Sequence, residues 1–192
     1  MKNTLKNWKK LKSHVAHDLK IFKARWDTTE NPRTNEVMDR LVLETPPWVN
    51  VVPITRDNQI VLVKQYRFGT EKITAEIPGG LIDEGEDSKI AAMRELREET
   101  GHTSATWISL GSIEPNPAFH DNLCYHWLAL NVEKTTEPDL DPGEDILVEK
   151  VSFETLRDMI ATGHFNHGLA LSALSRVPQF WQKFKEKDFY KT

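Results

Sequence analysis

The sequence predicts a mixed α/β fold, and three observations carry that prediction. Two apolar runs, Val49-Asn50-Val51-Val52-Pro53-Ile54 and Ile60-Val61-Leu62-Val63, flank an Asp57-Asn58 turn and read as core strands. Residues from about Lys89 to Thr100 carry a helical pattern, with Asp87 or Ser88 able to cap its start and Gly101 suited to the residue after its end. Helical patterns return at Phe153–Thr162 and Leu169–Lys185, the second interrupted by Pro178.

In chain order, the first expected element is a helix. Leu5, Trp8, Leu11 and Val15 recur at helical spacing, which reads as an amphipathic helix docked on the protein by its apolar stripe. Residues 1–25 also hold eight Lys or Arg against Asp18 alone, and a charge of about +7 could meet nucleic acid or an anionic surface. Docking is the simpler reading, and nucleic acid is not the expected partner. Asp18–Thr28 and Glu36–Glu44 read as extended segments able to pair as a hairpin around the turn-rich Thr29-Glu30-Asn31-Pro32-Arg33.

Pro46-Pro47 marks the boundary between an N-terminal extension, 1–46, and a main domain, 47–192. Beyond the two core strands, a strand near Thr74–Ile77 delivers the chain into Pro78-Gly79-Gly80 and then the helix. Further strands are expected at Trp107–Ile113, Asn122–Val132 and Ile146–Val151.

The stretch from Gly80 to His102 holds seven carboxylates against three basic side chains. Glu95, Glu98 and Glu99 stand at i, i+3 and i+4, so on a helix they share one face, where like charges repel by about a few tenths of a kcal/mol per pair. A positive partner is therefore expected among them. Ala92, Met93 and Leu96 are expected to form a buried stripe on the opposite face, leaving the carboxylates toward a cleft. With no nearby Cys and no His-x-x-x-His spacing, such oxygen donors favour a hard cation, Mg²⁺ or Mn²⁺, over zinc.

Spacing adds a resemblance. Gly80, five residues, Glu86, seven residues, then Arg94-Glu95-Leu96-Arg97-Glu98-Glu99-Thr100-Gly101 form a 22-residue pattern with eight specified positions met. It resembles the signature of the Nudix hydrolases, metal-dependent enzymes that cleave nucleoside diphosphates linked to another group. The signature usually continues with an aliphatic or aromatic residue, where this chain has His102. That swap is read as a packing residue rather than a ligand.

The resemblance implies a Nudix-type α/β/α sandwich, to which the small N-terminal helix and β-hairpin would be an extension. It implies that Glu95, Glu98 and Glu99, with the carbonyl of Gly79, ligate two or three Mg²⁺ ions, and that Arg94 orients the glutamates by salt bridging. Gly80, Glu86 and Gly101 would be structural, with Glu86 steadying the loop and the helix start.

Outside that box, Gln65-Tyr66-Arg67, Glu76-Ile77-Pro78-Gly79-Gly80 and Gly143-Glu144-Asp145-Ile146 resemble the ADP-ribose pyrophosphatase group, which hydrolyses nucleoside diphosphate sugars. Arg67 is expected at a substrate phosphate, because a guanidinium offers two-pronged contacts to oxygens. Pro117, in the loop Glu114–Asn122, resembles the group's marker for ADP-ribose, and Phe119 and His120 of that loop are expected to face substrate. Glu144 is the expected general base, with Glu95 or Glu98 as the alternatives in the box.

Composition sets the remaining expectations. The 192 residues, 39% of them hydrophobic, can bury one good core with room for a small appendage. The single cysteine, Cys124, excludes an internal disulfide and reads as a small buried hydrophobe. No window approaches eighteen apolar residues and no continuous apolar signal region is visible, so neither a membrane span nor a secretory signal is read, and a cytoplasmic protein is expected. The extension is too small to bury its own apolar surface, which predicts a homodimer in which Trp26 or Phe22 stacks on the nucleotide base. Two alternatives stay open: an RNA 5′ pyrophosphohydrolase, suggested by the basic N-terminus, and a catalytically silent nucleotide sensor.

Overall fold

The computed structural model describes residues 4–177, so Pro178 and the rest of the second expected C-terminal helix lie outside them. The chain divides into two units, each with its own sheet.

The first unit takes in the chain up to Pro47 together with Glu114–Leu123. Its sheet is an antiparallel meander of β1 (Lys9–Asp18), β2 (Lys23–Glu30) and β3 (Val37–Glu44). The hairpin expected from the sequence is β2 with β3, in a register that sets Trp26 opposite Leu41. The N-terminal helix is not formed. Its residues from Lys9 onward are a strand on β2, and Trp8, Leu11 and Val15 stay 43%, 44% and 50% exposed rather than docked.

The physical reason is that an isolated helix of this length is marginal in water, whereas the hairpin edge satisfies a whole row of backbone donors and acceptors. Opposite charges face each other at both ends of the pairing, Lys9 with Glu30 and Asp18 with Lys23. The register skips Leu11 and Ala16, so β1 carries two irregularities. Asp27, buried in β2, receives Ser13 Oγ at 2.5 Å and pairs with Lys10 and Arg25. Burial works against its charge, but those three partners prevail and bring its pKa down to about 2. Arg25 also reaches Glu44 and Asp121, and Leu43 bridges to His120, which ties the 114–123 loop to this unit.

The second unit is built on a mixed eight-stranded sheet. Its strands are β4 (Trp48–Thr55), β5 (Gln59–Arg67), β6 (Lys72–Glu76), β7 (Gly79–Leu81), β8 (His102–Thr103), β9 (Thr106–Ile113), β10 (Cys124–Lys134) and β11 (Ile146–Ser152). The central order is β11-β5-β4-β10-β8, with β6 on β5, β7 on β4 and β9 on β10; only β4 and β10 run parallel.

Strand alternation sends neighbours to opposite faces. Val49, Val51, Val61 and Ala129 pack with Ala91, Ala92 and Leu96 of α1 (Ser88–Thr100). On the other face, Val52, Ile54, Ile60, Leu62 and Leu128 pack with Leu156 of α2 (Phe153–Ala161) and with Ala170, Ala173 and Leu174 of α3 (Gly168–Ser175). Two cores on two faces of one sheet make the expected α/β/α sandwich. Cys124 is fully buried in β10, where its thiol donates to Asn50 Oδ1 at 3.2 Å. Among the described residues no helix is long and apolar enough to cross a membrane.

Candidate active site

Two local features set the start and end of α1. The Asp87 side chain accepts from Lys89 N–H as N-cap, and Gly101 takes a left-handed conformation, φ 70°, that returns its N–H to Arg97 O. Ahead of the helix, β7 crosses beside β4 so closely that only glycine fits: a Cβ on Gly79 would stand 2.6 Å from Asn50 Nδ2. A Cβ on Gly80 would stand 2.6 Å from Glu95 Cδ. The strand and the helix therefore meet backbone against carboxylate.

Arg94 is the positive partner expected among the glutamates. Its Nε and Nη2 donate to Glu86 at 3.0 and 2.9 Å, Nη2 also donates to Leu81 O at 3.0 Å, and Nη1 donates to Glu95 at 2.8 Å and Glu98 at 3.2 Å. A guanidinium has five N–H groups, so these bonds engage them all. Glu86 is held below the usual carboxylate range, chiefly by Arg94, and joins the loop to the helix by also accepting from Asp83 N–H at 3.1 Å.

Helix geometry departs from expectation at three positions. Glu95 and Glu99 lie on the buried side of α1, whereas Met93 faces outward and lines a groove of about 410 Å³ with Ile90, Arg97 and Trp107. At 3.6 residues per turn, a stripe through Ala92 and Leu96 passes through Glu95 and Glu99 and leaves Met93 off it. Glu99 is only 2% exposed, and its Oε2 accepts from Gly79 N–H at 3.0 Å.

Burial pushes Glu95 up to about 6, with Glu98 and Glu144 adding to the rise against Arg94. Burial also raises Glu99 well above the usual carboxylate value, reinforced by Glu95 and Glu144 and opposed by Gly79 N–H. Two buried carboxylates that repel each other, within reach of a third, are short of positive charge. Among the described residues no three acidic, imidazole or thiol groups already close into a ligand set, because Arg94 and Gly79 N–H hold the carboxylates. The chemistry of the donors nonetheless suits a hard divalent cation: all are oxygens, and the charge they lack is positive.

Arg67, at the end of β5, does not stand free. Its Nε and Nη2 each donate to Glu76 at 2.7 Å, and its guanidinium feels Glu99 and Glu144. Glu144 lies in the turn before β11, where Asp141 N–H donates to its carboxylate at 3.1 Å. The second unit thus contains Arg67, Gly79, Gly80, Glu86, Arg94, Glu95, Glu98, Glu99, Gly101 and Glu144. Trp26, Pro117, Phe119 and His120 belong to the first unit, where Phe119 meets the His120 ring edge-on at 4.9 Å. His102 is buried at the start of β8 with its Nδ1 by Thr100 O, which is a packing position. The sequence places Glu76 in the Glu76–Gly80 motif but gives it no role, and nothing local marks His167.

The NUDIX domain family matches residues 44–173. The chain belongs to that family. This Nudix hydrolase is 33% identical over 151 residues to the methanol dehydrogenase activator of Bacillus methanolicus, covering 78% of this chain and 81% of that one. It is also 33% identical over 116 residues to the ADP-ribose pyrophosphatase of Bacillus subtilis (strain 168), covering 60% and 63%. A solved ADP compounds hydrolase shares the fold, with a TM-score of 0.79 at 23% identity over 93% of this chain and 96% of that one. Nudix hydrolases generally act with divalent metal ions.

Proposed function

We propose that this Nudix hydrolase cleaves the diphosphate bond of nucleoside diphosphate sugars such as ADP-ribose, giving a nucleoside monophosphate and a sugar phosphate. The observation that carries the reading is the buried pair Glu95 and Glu99 on one helix face, both raised in pKa, beside an arginine whose donors are all engaged. Such a cluster is costly unless a cation and an anionic substrate complete it. The ADP-ribose pyrophosphatase relative supports the substrate class.

In this reading Glu95, Glu98, Glu99 and the Gly79 carbonyl would hold Mg²⁺ or Mn²⁺, in two or three sites, which when bound would neutralise charge on the diphosphate and lower the pKa of the attacking water. Arg94 keeps Glu95 and Glu98 oriented from its anchorage on Glu86 and Leu81 O. Arg67 presents to a phosphate the N–H groups that Glu76 does not occupy. Glu144 takes the proton from the attacking water; its turn, Asp141-Pro142-Gly143, joins no strand and can reposition it. Trp26, or Phe22, with Pro117, Phe119 and His120 supplies the base and sugar contacts from the first unit, which we propose pairs with a second copy as a homodimer.

A panel of nucleoside diphosphate sugars, dinucleotides, nucleoside triphosphates and triphosphorylated RNA, assayed with Mg²⁺ and a coupled phosphatase, tests the proposal. Turnover of ADP-ribose or its analogues is expected. Activity on RNA alone would replace the substrate class, and silence across the panel would leave the sensor reading.

A further inference from the structure

Arg67 stands where an arginine ought to be lost to its surroundings. Its guanidinium feels the carboxylates of Glu99 and Glu144, and nothing in β5 itself would stop it from swinging onto them. Arg94 shows the result of such attraction in the same unit: an arginine with every donor consumed by its neighbours. Arg67 is held differently. Glu76 takes Nε–H and one Nη2–H in a two-pronged bond, both at 2.7 Å, and leaves the rest of the guanidinium to a side chain that is 44% exposed.

Glu76 is itself fixed. It is 2% exposed, in β6, opposite Val63 of β5, so that strand alternation puts it on the same face as Arg67 four residues along. Thr74 Oγ1 donates to its Oε1 at 2.5 Å, and His167 Nε2 stands 3.6 Å from its Oε2. His167 is the residue before α3, with a backbone suited to an N-cap, yet its ring makes no capping bond and turns to the carboxylate instead. A lone surface ion pair would not need a buried acid that takes a further hydrogen bond from Thr74 and lies against an imidazole.

We propose that Glu76 is a positioning residue: fixed by burial and by the Thr74 hydroxyl, with His167 packed against it, it holds the Arg67 guanidinium in one orientation, away from the acidic cluster and open to a phosphate oxygen of the substrate. This rests on the reading of Arg67 as a phosphate contact. A guanidinium fixed in plane loses less freedom when it binds, so the effect belongs to substrate affinity rather than to bond cleavage.

The full-length chain tests it with a cycle of Arg67→Lys, Glu76→Gln and the double variant, assayed with ADP-ribose. Each single change is expected to raise KM about 10- to 100-fold, the range of a lost charged hydrogen bond, with kcat within about threefold. The double variant should be no worse than Arg67→Lys by more than about twofold, because Glu76 acts through Arg67. Multiplying effects would overturn the inference.

A second readout needs no substrate: the Arg67 Nε–H resonance in ¹⁵N-edited NMR should be protected from water exchange in the wild type. That protection should be lost in Glu76→Gln and weakened in Thr74→Val, a milder change should the Gln variant not fold. Free exchange in the wild type would also overturn the inference. A protected Arg67 whose lysine variant keeps its KM would instead show that Glu76 orients Arg67 but that the phosphate reading of Arg67 is wrong.

Discussion

The carboxylate of Glu95 lies in the space that a Cβ on Gly80 would occupy. Gly80→Ala must therefore displace either β7 or the glutamate, and α1 is held at both ends. We expect kcat to fall by at least about tenfold and the Mg²⁺ concentration for half-maximal activity to rise, with far-UV circular dichroism unchanged, since a 1 Å misplacement can cost about 10²-fold. Wild-type Mg²⁺ dependence in Gly80→Ala would show that this close approach serves packing alone.

Glu98→Gln and Glu99→Gln keep size and helix propensity while removing a charge. Each should lower kcat by orders of magnitude with the fold intact, checked by steady-state assay and a thermal melt. Near-normal activity at ordinary Mg²⁺ would contradict their assignment as ligands.

Glu144→Gln should reduce kcat by about 10²- to 10⁴-fold, the usual worth of a general base, and leave KM nearly unchanged. A loss below about threefold would return the role to Glu95 or Glu98. The pH–rate profile offers a separate check, because removal of the base should abolish its acidic limb.

Stability should respond to pH at Glu95. Its folded pKa, about 6, lies above the usual 4.5, so its contribution is fully present below pH 4.5 and is lost as pH rises through 6. The loss is about 2 kcal/mol by the linkage relation. Melts in EDTA should show this decline, Glu95→Gln should flatten it, and Mg²⁺ should reverse it. A flat profile in EDTA would show that Glu95 is not strained by its burial. Asp27 acts with opposite sign in a separate window: its pKa is depressed to about 2, so its contribution is lost as pH falls below 3.8.

Leu11 and Val15 should carry the homodimer. Light scattering is expected to give twice the chain mass, and Leu11→Glu with Val15→Glu should give the monomer. If Trp26 stacks on the base across that interface, the monomer's KM should rise about tenfold or more. A wild-type monomer with ordinary KM would end both ideas.

What could be read from the chain depended on how far apart the interacting residues are. Arg94, Glu95, Glu98 and Glu99 fall within two turns of one helix, so their convergence follows from period alone. Glu86 needed only a short loop. Met93 was misplaced because a stripe drawn through three apolar residues ignored that buried acids could occupy the same face. The N-terminal strand was hidden by coincidence, since Trp8, Leu11 and Val15 fit a helical period and the partner that makes Lys9–Asp18 a strand begins at Lys23. Arg67 with Glu76 depends on the β5–β6 register, and the grouping of the 114–123 loop with the first unit depends on Arg25 meeting Asp121, ninety-six residues away. No local pattern encodes either.

The burial of Cys124 also makes the chain a convenient object for spectroscopy. Its thiol is fully enclosed in β10 and pushed by burial up to about 12, so almost none is thiolate at neutral pH. Maleimides and dithio reagents should find no reactive sulfur among the described residues of the native protein. A single cysteine introduced at exposed Asp145 would then be the one labelling position, without first removing the native one. A nitroxide or fluorophore placed there would report directly whether the Glu144 turn moves when substrate arrives.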